Sequence, residues 1–359
     1  VLQKNAHAWV MMHLLNGGIY NDNMTRQMLD VGAPTLYNRA YFSDHTGFPM
    51  QQPRLNAVTC ASPGGLHRMA YREWGDPDNP NLALCVHGLT RTGHDFDTFA
   101  AALASDYRVV CPDVAGRGLS DRLVNPNFYQ VGQYVSDMLT LLTKLAPKNL
   151  SWIGTSMGGL IGLVYLGGLA STRLWPAQRS ASQGLEPIPD PTIKISKLVL
   201  NDVGPHIEPA SLARIGEYVG AAVDFDTFEQ AVAYIKSVSA SFGPHTDEQW
   251  TALTRHYFVP QQAKWVKHYD LNLALPFQTM NPEAVAAGEQ YLWGAYASYQ
   301  GPVLIVRGAQ SDLLSPESLQ KMLSLNPNAR AVEFAGVGHA PTLMNSEQID
   351  ALKDFLNAK

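Results

Sequence analysis

Hydrophobic and polar positions divide the chain into stretches of different texture. Residues 1 to 56 show weak periodicity and many Asn, Gly and Pro. They read as an N-terminal arm with no chemistry assigned. From Leu66 the pattern sharpens. His67–Trp74 alternates as a strand does, and Leu82–Val86 is a short apolar run of the kind a buried strand shows. Further strands are predicted at Arg108–Cys111, Leu150–Ile153, Leu198–Leu200, Val303–Val306 and Ala331–Phe334. Between them, Phe96–Leu103, Val131–Leu145 and Met157–Leu169 carry apolar residues at helical spacing. Strand and helix alternate through short links, which predicts an α/β fold with a mostly parallel sheet covered on both faces.

The alternation breaks twice. Residues 171–194, rich in Pro, Ser, Arg and Gln, read as a surface excursion. Residues 205–297 offer no convincing buried strand and many aromatic side chains, among them Trp250, Tyr257, Phe258, Trp265, Tyr269 and Tyr296. This stretch reads as a helical cap inserted into a core made of residues 57–204 and 298–359.

Composition narrows the function classes. The formal net charge is −5, with no block of Lys or Arg, which argues against a nucleic-acid partner. No apolar stretch approaches the ~20 residues of a membrane span. Cys60, Cys85 and Cys111 share no metal-type spacing and are odd in number. They read as buried free thiols, and the expected compartment is a reducing, cytoplasmic one.

The strongest chemical signal is Gly154-Thr155-Ser156-Met157-Gly158, set between an apolar strand and a helix. A tight strand-to-helix turn exposes a serine hydroxyl and aims a helix N-terminus at it, and such a turn needs tiny residues on either side. Serine requires a base. Of eleven histidines, His339 directly follows the last predicted strand in the loop Gly336-Val337-Gly338-His339. For the acid that orients the imidazole, Asp312 lies in the loop after Val303–Val306, at a strand's carboxyl end. Asp202 competes, as it follows the strand ending at Leu200. The Arg307-Gly308 turn favours Asp312, and the departure of the chain at Val203-Gly204-Pro205 gives Asp202 an anchoring task instead. Backbone N–H groups of Leu89, in the loop after Leu82–Val86, and of Met157 are the expected donors to an oxyanion. Asp113–Ser120 lacks the third glycine of a dinucleotide loop and reads as a structural turn.

Together, His87-Gly88, Asp113-x-x-Gly116-Arg117-Gly118-x-Ser120, Gly154-x-Ser156-Met157-Gly158-Gly159, Asp312 and Gly338-His339 resemble the α/β-hydrolase superfamily, and most nearly its bacterial carboxylesterase-like members with a helical lid. The likeness runs from Leu66 to Ala358. It implies a serine hydrolase acting on carboxylic esters of small to medium acyl chain through an acyl-enzyme, with no metal or organic cofactor and a small-molecule ester as partner. A serine at the turn separates the chain from relatives that use aspartate there. Lipases, carbon–carbon bond hydrolases of aromatic ring-cleavage products, peptidases, acyltransferases, perhydrolases and non-catalytic receptors share the same framework. Two departures accompany the resemblance: the long excursion at 171–194, and the extra carboxylate of Asp202.

Overall fold

The central element is an eight-stranded sheet with strand order β1-β2-β4-β3-β5-β6-β10-β11. The structure, a computed structural model, describes residues 52–183, 193–278 and 281–358. In chain order the described residues form β1 (Arg54–Ser62), β2 (Gly65–Trp74), β3 (Asn81–Val86), α1 (Asp97–Leu103), β4 (Arg108–Pro112), α2 (Val131–Leu145), β5 (Asn149–Thr155), α3 (Met157–Gln183) and β6 (Ile195–Asn201). There follow α4 (Pro209–Val219), β7 (Asp224–Phe225), α5 (Phe228–Val238), α6 (Asp247–Arg255), β8 (Phe258–Gln261), β9 (Lys264–Lys267), α7 (Leu275–Gln278) and α8 (Pro282–Ser298). The chain then returns to the large sheet with β10 (Val303–Gly308), α9 (Pro316–Leu325), β11 (Ala329–Phe334) and α10 (Ser346–Asn357).

Strands β1 and β2 pair antiparallel, as do β2 and β4. From β4 to β11 every pairing is parallel. The two-residue period of a strand puts alternate side chains on opposite faces. In β3, Leu82, Leu84 and Val86 join one apolar cluster with α2 and α3, and Ala83 and Cys85 join another with α1 and α10. Both faces are therefore dry, and the buried strands are apolar runs for that reason. Cys60, Cys85 and Cys111 are buried and unbridged, with Cys85 in β3 and Cys111 in β4.

Three expectations from sequence need correcting. The region read as an arm up to residue 56 already includes the start of β1, whose Arg54–Asn56 pair with Tyr71–Glu73; residues 1–51 lie outside the described residues. The excursion expected at 171–194 is helical through Gln183, as a continuation of α3, and residues 184–192 lie outside the described residues. The insertion between β6 and β10 is not purely helical. It carries a three-stranded antiparallel sheet, β7-β9-β8, whose two- and four-residue strands are too short to leave a periodic signature. This small sheet packs with α5 and α6 around Ala231, Ile235, Trp250, Leu253 and Phe258. Among the described residues, no helix is long and apolar enough to cross a membrane.

The strand order decides where chemistry can gather. From β3 the chain steps to β4 on one side and then to β5 on the other. That reversal opens a crevice beyond the carboxyl ends of the strands, the usual ligand position in open α/β sheets. His87-Gly88 follows β3, Ser156 follows β5, and Asp202 follows β6, so three consecutive strands of the sheet deliver their loops to one place.

Candidate active site

Ser156 stands between β5 and α3 with φ +52°, in the left-handed region that a side chain seldom enters. Its N–H donates to the Asn201 carbonyl at the end of neighbouring β6, at 3.0 Å, and its own carbonyl starts helix α3 by accepting from Gly159 and Leu160. The turn is tight enough that a Cβ at Gly158 would stand 1.9 Å from the Val86 carbonyl oxygen of β3. Trp152 holds the same spot from below, donating its Nε1–H to the Gly158 carbonyl at 3.0 Å.

His339 comes to Ser156 on the loop after β11. Its Nε2 lies 3.0 Å from Ser156 Oγ, and its Nδ1 lies 2.8 Å from Asp202 Oδ2. The carboxylate thus selects the tautomer: Nδ1–H donates to Asp202, which leaves Nε2 to accept from the serine hydroxyl. The His339 loop is tied on both sides. Asn201 Nδ2 donates to the Pro341 carbonyl at 2.9 Å, and the Gly338 N–H donates to the Ser241 carbonyl of the insertion at 2.6 Å.

The acid partner of His339 is therefore Asp202, not Asp312. Asp202 is fully buried at φ +57°. Its Oδ1 accepts the Gly308 N–H at 3.0 Å, and its Oδ2 accepts the Ser311 hydroxyl at 2.7 Å beside the imidazole. Asp312 points elsewhere. Its side chain is 47% exposed and pairs with Arg214 of α4, whose guanidinium holds the Asp312 carboxyl below the usual carboxylate range. The turn at Arg307-Gly308 has a different use from the one expected. A Cβ at Gly308 would meet the Gly338 carbonyl oxygen at 2.2 Å, so this glycine lets the β10 loop press against the His339 loop. What the turn supplies to the site is the Gly308 N–H and Ser311, both directed at Asp202.

Leu89 and Met157, expected from sequence as backbone donors, flank Ser156. A Cβ built at Gly88 would lie 3.7 Å from Ser156 Cβ, which places the Gly88-Leu89 loop against the serine. The orientation of that loop is set by His87. Its buried ring accepts the Val114 N–H on Nε2 at 2.9 Å, so Nδ1 carries the proton and donates to the Gly88 carbonyl at 2.7 Å. Peptide planarity then points the Leu89 N–H the opposite way. Burial pushes the His87 pKa down to about 4, which keeps the ring in this donor–acceptor state. The Met157 N–H belongs to the first turn of α3, where backbone donors have no helical partner.

A cavity of about 470 Å³ opens over Ser156 and His339. Its wall from the core includes Leu89 and Phe96; the insertion contributes Ile215, Ile235, Leu253 and Tyr257. Of the aromatics singled out in the insertion, Tyr257 reaches this cavity. Trp250, Phe258, Tyr269 and Tyr296 are buried in packing. Two cations also line it. Arg91 is held in a two-pronged bond by Asp95, and Arg214 makes a single contact with Asp312.

The sequence and the fold are similar to those of known hydrolases. The family model described as "Alpha/beta hydrolase family" matches residues 83–352. A protein of Cupriavidus necator named 3-hydroxybutyrate-oligomer hydrolase is 51% identical over 307 residues, which is 84% of this chain and 97% of that protein. Two solved structures are similar over nearly their whole length. One is a putative hydrolase from Rickettsia typhi, 30% identical with TM-score 0.71 over 85% of this chain and 99% of that one. The other is an α/β hydrolase from Novosphingobium aromaticivorans, 31% identical with TM-score 0.69 over 86% of this chain and 99% of that one.

Proposed function

The chain belongs to the α/β-hydrolase family, and we propose that within it the chain is a serine hydrolase that cleaves carboxylic esters, with oligomers of 3-hydroxybutyrate as its substrate class. The observation that carries the reading is the unbroken line of hydrogen bonds from Ser156 Oγ through His339 to the buried Asp202, opening on a cavity large enough for a small ester. The substrate class is supported by the 51% identity with the Cupriavidus necator protein over nearly its full length.

The chemistry follows from the positions. His339 Nε2 takes the proton of Ser156 as the oxygen attacks the ester carbonyl. Asp202 keeps the imidazole in the productive tautomer and stabilises the imidazolium. The N–H groups of Leu89 and Met157 receive the oxygen that becomes negative, and the positive end of α3 adds to their field. His339 then protonates the departing alcohol, which in an oligomer is the 3-hydroxyl of the next unit. Water, deprotonated by the same imidazole, releases the acyl group from Ser156. The residues of the insertion that roof the cavity act as a cap and limit the length of acyl chain accepted.

The test is direct. Purified protein is incubated with 3-hydroxybutyrate dimer and trimer, and released monomer is followed by chromatography. Ser156→Ala should abolish release while leaving the fold intact, since losing the nucleophile typically costs about 10⁶ in rate. A fluorophosphonate should label Ser156 in the wild type. Release by Ser156→Ala at the wild-type rate, or labelling at another serine, would remove the mechanism. Turnover of nitrophenyl esters with no action on the oligomers would remove only the substrate class.

A further inference from the structure

The Asp113–Ser120 loop read from sequence as a plain turn holds a buried cation directly under the site. Arg117 is 1% exposed. Its Nε–H donates to the Leu89 carbonyl at 2.8 Å, and an Nη2–H reaches Met157 Sδ at 3.5 Å. Nη1 donates to the Ala115 carbonyl at 2.6 Å and to the Tyr134 hydroxyl at 2.9 Å. The guanidinium also lies 4.9 Å from the ring centre of Tyr134. Buried Arg72 and Arg307 each have a carboxylate within reach, at 3.2 and 3.3 Å. Arg117 has none at ion-pair distance among the described residues.

Burying a charge without a carboxylate at ion-pair distance is costly, and here carbonyls, a hydroxyl and ring faces take up its N–H groups. The field is placed where it matters. One guanidinium touches both residues whose N–H groups are assigned to the oxyanion, Leu89 by its carbonyl and Met157 by its side chain. The first contact fixes the peptide that follows Leu89, as His87 fixes the one that precedes it. A planar fork can bridge these two points at once, whereas a lysine ammonium is a single point of charge. The base of the loop is tied down by hydrogen bonds. Asp113, fully buried, accepts from Arg72, the Gly93 N–H and the Leu119 N–H, so Arg117 projects from a fixed base.

Resting on the ester-hydrolase reading above, we propose that Arg117 is a positioning residue for the oxyanion: it locks the Leu89 loop to Met157 and places a positive charge behind the developing negative one. Such a residue acts on the transition state and not on the bound ester. Its loss lowers kcat and spares KM.

The experiment compares wild type with Arg117→Met and Arg117→Lys. Folding is checked by circular dichroism and thermal melting, and two rates are measured. One is the second-order rate of Ser156 phosphonylation by a fluorophosphonate, whose P–O oxygen occupies the oxyanion position whatever the natural ester. The other is kcat and KM on a short-chain nitrophenyl ester. The expected result for Arg117→Met is a loss of about 10²-fold in both phosphonylation rate and kcat, with KM within about threefold of wild type. Arg117→Lys should recover about tenfold of that loss, leaving kcat about tenfold below wild type, by restoring charge without the fork. A folded Arg117→Met with wild-type rates, a change confined to KM, or a lysine variant no better than methionine overturns the proposal. If Arg117→Met does not fold, Arg117→Lys decides alone: kcat lower by about tenfold at unchanged KM supports the proposal, and unchanged kcat overturns it. If wild-type Ser156 is not phosphonylated, the serine-hydrolase reading falls and this inference with it. If it is phosphonylated and Arg117→Met reacts as fast, this inference falls alone.

Discussion

Ser311 donates its hydroxyl hydrogen to Asp202 Oδ2 at 2.7 Å, and the direction of that bond is fixed by its other contacts. Ser311 Oγ accepts the N–H groups of Leu313 and Leu314, each at 3.2 Å. With its lone pairs taken, the hydroxyl proton is left for the carboxylate. The loop after β10 thus supplies the clamp on the acid, and the acid itself comes from the loop after β6.

This arrangement ranks the two aspartates. Asp202→Asn should leave the protein folded and lower kcat by about 10⁴, because the amide favours the wrong imidazole tautomer. Asp312→Asn should keep kcat within a few-fold of wild type. Its ion pair with Arg214 is half-exposed on both sides, so the cost in stability should be about 0–1 kcal/mol and shrink in salt. Steady-state kinetics on a nitrophenyl ester, with melting curves for both variants, checks the ranking. A large kinetic loss in Asp312→Asn with a near-normal Asp202→Asn would return the acid to the position first expected.

Ser311→Ala is a milder probe of the same contact. It removes one donor to Asp202 and strands two backbone N–H groups, each loss of a buried partner costing about 1–3 kcal/mol. The expected outcome is a lower melting temperature together with a reduced kcat at little-changed KM, smaller than the loss in Asp202→Asn. Wild-type kcat in a folded Ser311→Ala would show that Gly308 alone holds the carboxylate.

Much of this was legible in the sequence, and what was not has a common cause. The strands and helices of the sheet domain follow from apolar runs and helical spacing, and Ser156 and His339 stood out by their place at strand ends. Asp202 and Asp312 both follow strands as well, and both fit the chain order of serine, acid and histidine. Chain order carries no information on which strands are neighbours. In the sheet β6 lies next to β5, so Asp202 is one strand from Ser156 and Asp312 is two. The same blindness hid Arg117. Its partners Leu89, Tyr134 and Met157 are 28, 17 and 40 residues away, and no local pattern marks a guanidinium that will be buried with no carboxylate at ion-pair distance among the described residues. The short strands β7, β8 and β9 were missed for want of length.

Gly158 tests how tightly the serine turn is built. A Cβ there would fall 1.9 Å from the Val86 carbonyl oxygen, and backbone cannot yield as a side-chain tip can. Gly158→Ala must therefore push α3 away from β3. Overpacking of this kind typically costs 1–3 kcal/mol, and with backbone on both sides about 3 kcal/mol or more is expected. Ester turnover should fall further than stability, since the displaced helix start carries both Ser156 and Met157. Denaturant melts and kcat measured side by side check this. A variant with unchanged stability would mean that the turn relaxes freely.

The buried His87 makes a prediction about acid. Its pKa falls from an ordinary value of 6.5 to about 4 because burial penalises the charged ring. Between those values the unfolded chain binds a proton that the folded chain refuses. Stability therefore rises with pH across the window, is fully present above 6.5, and is lost as pH drops toward 4. A shift of this size corresponds to about 3 kcal/mol, to order of magnitude. His87→Gln should flatten this part of the profile, as glutamine does not titrate and its amide can still donate to a carbonyl. At neutral pH the variant should be less stable, because its side chain cannot reproduce both ring contacts with the Gly88 carbonyl and the Val114 N–H. Denaturant midpoints for both proteins at half-unit steps from pH 4 to 7.5 give the comparison. If wild type and His87→Gln lose stability in parallel across that range, the acid sensitivity belongs to other groups. His94 and His256, whose pKa values burial also lowers, would then be the next to replace.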